Sequence, residues 1–96
     1  MAASPPNTIT FAIWGPIARA DLPGLCDRVC ALIATSGAST AVCDVAGVAV
    51  DAVTVDALAR LQLAAQRQNC HIRLLRASDQ LRALVEFMGL DDVLAL

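Results

Sequence analysis

The side chains able to do chemistry are few, and they gather around one turn. Asp44 and Asp51 flank Val45-Ala46-Gly47-Val48-Ala49-Val50, between a short apolar run and an amphipathic stretch. Two carboxylates at the end of a strand could bind a metal or do acid–base work. The competing role for Asp51 is to cap the helix that follows, a contribution of about 0.5–2 kcal/mol. Asp44 would then end a strand beside a turn, and capping outweighs catalysis. Thr54 carries the only hydroxyl nearby and is read as an N-cap or as a phosphate acceptor at a helix N-terminus. His71 is the single histidine, with no Ser or Cys nucleophile motif beside it. Cys26 and Cys30 share a helical face and could in principle share a metal, but there is no Cys-x-x-Cys pair. Core thiols are the better reading for these, and for Cys43 and Cys70. There is no phosphate-binding loop, Gly-rich dinucleotide turn or Gly-x-Ser-x-Gly elbow. An enzyme is not expected, and neither is a cofactor.

The elements that must hold these residues alternate along the chain. Thr8 to Trp14 reads as a strand, with Ile9, Phe11 and Ile13 on one side and Thr10, Ala12 and Trp14 on the other. Asp21 is placed to cap a helix with Pro23 in its first turn and Leu22, Leu25, Cys26, Val29, Leu32 and Ile33 at helical spacing. Thr40 to Val45 has the composition of a strand buried on both faces. A second helix starts between Asp51 and Thr54, with Leu58, Leu61 and Ala65 inward and Arg60, Arg67 and Gln68 in water. His71 to Leu75 is a third strand. Ser78 caps a last helix that ends at Gly89, and residues 91–96 form either an edge strand or a helical turn. Such alternation predicts right-handed crossovers and a largely parallel sheet.

Composition narrows the function. A chain of 96 residues supports one small domain. It is 57% apolar but only 3% aromatic, which suits one aliphatic core and no base-stacking platform. The net charge is −2, and all seven basic residues are scattered arginines, so no patch tracks phosphates. Nucleic acid is an unexpected partner. No apolar run is long enough to span a bilayer, and no signal peptide opens the chain, so a cytoplasmic location is expected.

The stretch from Val42 to Leu61, with Cys70-His71-Ile72-Arg73-Leu74-Leu75 and Leu84-Val85-Glu86-Phe87-Met88-Gly89-Leu90, resembles a STAS domain, the fold of bacterial anti-sigma factor antagonists. The resemblance runs roughly from Thr8 to Leu96. It implies an α/β fold: a single small STAS-like domain over residues 8–96, with a mostly parallel central sheet of about four strands and helices packed on it. Residues 1–7 would be a flexible leader. The usual pattern ends a strand in Asp, then opens a helix with Asp-Ser-Ser-Gly, where a serine is the phosphorylation switch. Counted from Asp51, Ala52 and Val53 stand at the serine positions and Thr54 at the glycine. The spacer from Asp44 to Asp51 is one residue short of the family's.

The resemblance implies binding to an anti-sigma factor, a kinase-like ATPase, which releases a sigma factor. The contact residues would be Asp44, Gly47, Val48, Asp51, Ala52, Val53, Thr54 and Val55. Ala52 and Val53 accept no phosphate, so Thr54 would be a displaced phosphosite or the switch is gone. Thr54→Glu and Val55→Asp would weaken binding and spare the fold. The alternative is a STAS subunit of a lipid-transport ABC complex, docking on its ATPase subunit. A third reading is a structural module within a larger signalling assembly. Family members carry two strands before the first helix and this chain has room for one convincing strand: either the leader forms a vestigial first strand, or the edge is open and invites a homodimer. The Ala-rich, Lys-free composition is that of a high-GC bacterium, and Asp51 to Leu63 resembles actinobacterial members.

Overall fold

β1 (Thr8–Gly15), β2 (Thr40–Val48) and β3 (His71–Leu75) form one parallel sheet in the order β1-β2-β3, in a computed structural model that describes residues 8–94. The leader expected over residues 1–7 lies outside the described residues, as do the last two positions of the 91–96 segment. Three strands are described where about four were expected. A 3-10 turn (Arg19–Asp21) leads into α1 (Leu22–Ser36). α2 (Ala52–Gln66) and α3 (Asp79–Phe87) complete the alternation.

The strand order decides where the helices go. Two right-handed crossovers that step in the same direction, β1 to β2 to β3, place both connecting helices on the same face. Ile13, Ala41, Cys43, Val45 and Ile72 from that face form one buried cluster with Val29 and Ile33 of α1, Leu58 and Leu61 of α2, and Leu81 and Val85 of α3. The other face carries Thr8, Thr10, Ala12, Trp14, Thr40, Val42, Asp44, His71, Arg73 and Leu75, none of them buried. This corrects the expectation that β2 is buried on both faces. Its inward residues are buried while Thr40, Val42 and Asp44 are only half-covered. The run of apolar β-branched residues does not reveal that both crossovers leave the same side bare.

Local signals are otherwise obeyed. Ser78 caps α3, accepting the Leu81 N–H at 3.1 Å, and Gly37 closes α1 in the left-handed region, where a side chain would be strained. Asp21 does precede α1, but its side chain makes no capping bond; its own backbone is helical because of the preceding 3-10 turn. The tail at 91–94 is a turn rather than a strand, with Leu94 buried.

The two sheet edges are treated differently. Gln62 of α2 is buried and forks onto β3: its Nε2 donates to the Ile72 carbonyl at 2.8 Å, and its Oε1 accepts the Ile72 N–H at 2.9 Å. A side-chain amide thus stands in for the strand that would continue the sheet. Among the described residues, no such group serves β1.

Candidate partner-binding site

All three strands run the same way, so their carboxyl ends share one rim with the N-termini of α2 and α3. Strand β2 runs past the Val45 end that the sequence suggests. It continues to Val48 through a bulge, because Ala12 faces Asp44 while Trp14 faces Gly47, two steps on β1 against three on β2. The Asp44 carboxylate accepts the Ala46 N–H at 3.0 Å across that bulge. From the other side Arg76, which follows β3, donates to both Asp44 oxygens, its Nε at 3.4 Å. The Arg76 hydrogen bond first, and the Ala46 N–H second, hold the Asp44 carboxyl below the usual carboxylate range. Arg76 itself adopts φ 61°, a left-handed conformation rare outside glycine.

Asp51 does what its position predicts. It sits in extended backbone and accepts the Thr54 N–H at 2.8 Å as the N-cap of α2. Asp44 and Asp51 therefore each serve a different partner, on the open sheet face and at the helix start. They do not form a paired acid site. Among the described residues, no cluster of three or more His, Cys, Asp or Glu could hold a metal.

Thr54 and Val55 are fully buried. Both belong to the face of α2 that packs on the sheet, one turn after the cap. This corrects their assignment as contact residues, and it also corrects Thr54 as an accessible phosphate acceptor. Acidic substitution there would strike the core rather than spare the fold. The Thr54 Oγ1 lies buried without a hydrogen-bond partner. Ala52 is exposed, while Val48, Asp51 and Val53 are half-exposed.

Sequence reading missed the most conspicuous side chain on this rim. Trp14, the only tryptophan, is 74% exposed. Its ring lies across Gly47, where an added Cβ would meet the ring's Cε3 at 2.7 Å. The Ala49 N–H, donating to the Gly15 carbonyl at 3.2 Å, ties the end of β1 to the loop that leads to Asp51. Leu75 at 45% and Val50 at 41% exposure add apolar surface to the same rim. The signal for Trp14 was its phase: it falls on the solvent side of its own strand, where an indole has no core to fill.

The rim thus offers an indole, three aliphatic side chains (Val48, Val50 and Leu75) and one ion pair, with no nucleophile or base poised beside them. Such a surface can bind a protein, since exposed aromatic and aliphatic groups with a fixed polar rim are what partner sites are made of. No helix among the described residues is long and apolar enough to cross a membrane.

Comparison with known proteins bears on the fold and the family. No curated protein matches the chain. Among solved structures, the crystal structure of a sulfate transporter family protein from Wolinella succinogenes superposes with a TM-score of 0.67. It is 19% identical, and the match covers 97% of this chain and 75% of that one. At that identity the likeness speaks for the fold. The family model described as "Mlab, STAS domain" matches residues 1–95, nearly the whole chain. The chain belongs to that family: it is a STAS domain protein.

Proposed function

We propose that this STAS domain is a non-enzymatic regulator that docks on an ATPase partner through the rim formed by Trp14, Gly47, Val48, Asp51, Ala52 and Leu75, with the Asp44–Arg76 pair fixing the orientation. STAS domains are protein-interaction modules, and the observation that carries the reading here is the exposed Trp14 resting against Gly47 beside the α2 cap. An exposed indole that already rests on backbone buries a large area when a partner covers it. The first reading of the partner is an anti-sigma factor of the kinase-like ATPase type. Ala52 and Val53 offer no hydroxyl at the switch positions and Thr54 is buried, so binding would be governed by protein level rather than by phosphate.

That same lack of an accessible hydroxyl favours a second reading, permanent docking on the ATPase subunit of a lipid-transport ABC complex. Calorimetric titration of the purified chain against each class of ATPase from the same genome separates the two. Trp14→Ala should weaken the true complex by about 30-fold, the effect of losing an interface anchor of roughly 2 kcal/mol. Unchanged affinity would place the interface elsewhere, and binding to neither ATPase would sink both readings.

A further inference from the structure

The two outer edges of the described sheet differ in composition and cover. Among the described residues β1 is an outer strand, eight residues long, with no charged side chain and no proline in Thr8-Ile9-Thr10-Phe11-Ala12-Ile13-Trp14-Gly15. Long, uncharged edges rich in β-branched and aromatic residues are the ones that proteins normally blunt. The opposite edge is blunted: β3 has five residues, carries His71 and Arg73, and has its Ile72 backbone groups occupied by Gln62.

We propose that two copies join β1 to β1 in an antiparallel pair about a twofold axis, making one continuous six-stranded sheet. A twofold axis perpendicular to the sheet forces the antiparallel direction and keeps like faces together. Side chains alternate, so only registers that match faces are allowed. The register centred on Phe11 sets Phe11 against its own copy and Ile9 against Ile13 on the helix-covered face. Ile9 and Phe11 are only half-buried in the single chain, and this contact covers what remains of them. On the open face Thr10 opposes Ala12 and Thr8 opposes Trp14, so no charge meets a like charge. A second copy satisfies these pairings because the edge complements itself. Both Trp14 side chains and both Asp44–Arg76 pairs then lie on the same open face, with the two docking rims at opposite ends of the joined sheet.

Sedimentation velocity under reducing conditions tests the proposal with two charge variants. Thr10 and Ala12 are exposed, so both variants keep the fold, checked by circular dichroism. The wild type should sediment at twice the 10.0 kDa chain mass. Thr10→Lys with Ala12→Lys places lysines directly opposite one another across the twofold axis, and should sediment as a single chain. Thr10→Lys with Ala12→Glu sets each lysine against the partner's glutamate, and should return the dimer. A wild type that remains a single chain up to millimolar concentration overturns the proposal, the edge then being free for another protein's strand. A double-lysine variant that still dimerises overturns it too, and a Lys/Glu variant that does not dimerise overturns the register.

Discussion

Trp14 and Gly47 are in contact across the bulge that joins β1 to β2: the indole covers the one position of β2 where no Cβ fits beneath it. Gly47→Ala should displace the ring without unfolding the domain, because the new Cβ meets the exposed indole rather than the core. Stability should change by less than about 0.5 kcal/mol, as for other surface substitutions. The fluorescence of the single tryptophan should shift, and partner affinity should fall with it. An unchanged emission spectrum would mean that the contact does not fix the indole.

The fork from Gln62 to Ile72 should be worth far more than its two hydrogen bonds suggest. Gln62→Leu leaves a buried N–H and a buried carbonyl without partners, a loss of about 2–4 kcal/mol. The urea midpoint reads it, and a loss below about 1 kcal/mol would show that water or a neighbour replaces the amide.

Thr54→Val removes a buried hydroxyl that has no partner and keeps the shape of the side chain. It should raise stability by about 1 kcal/mol, the reverse of most core substitutions. Thr54→Glu should unfold the domain, since a carboxylate has no counter-charge there. A folded Thr54→Glu with its melting temperature intact would contradict the burial.

Arg76 gives the protein an acid-sensitive contact. The folded Asp44 carboxyl is held below its unfolded value of about 3.9. Its contribution to stability is therefore present above about pH 4 and is lost as pH falls through the lowered folded value. Asp44→Asn should melt below wild type at neutral pH and converge with it in strong acid. Parallel melting curves across that range would deny the ion pair a role.

Cysteine reactivity should divide by element. Burial first, then the charge of Asp44, pushes the Cys43 thiol up to about 12, and burial raises Cys70. Both are buried, whereas Cys26 and Cys30 of α1 are half-exposed. Iodoacetamide at pH 8 should label only the α1 pair in the native protein and all four after denaturation. Early modification of Cys43 would reveal opening of β2.

Much of this was legible in the order of residues. The phase of Ile9, Phe11 and Ile13 gave the first strand and its inner face, and Ser78 and Asp51 announced their helices. What stayed hidden depended on contacts distant in sequence. Nothing in Gln62 says that it will meet Ile72, because that depends on how α2 crosses β3. Thr54 and Val55 look like accessible residues at a helix start until the cap at Asp51 sets the phase that turns them inward. Arg76 reads as an ordinary surface charge until the sheet brings β3 beside Asp44. A residue's partner is fixed by topology, and local sequence carries that least well.

The strand order has a consequence for the life of the protein in the cell. Parallel sheets are ordinarily covered on both sides, and among the described residues this one has a bare side, so a protein that settled there would complete a layer. Ligands that bind only the native chain stabilise it by mass action, about 2.7 kcal/mol at a hundred times the dissociation constant. Copies without a partner would be the first to open and the first to be degraded. Its abundance would then follow that of its partner, and stoichiometry would be maintained by turnover rather than by expression alone.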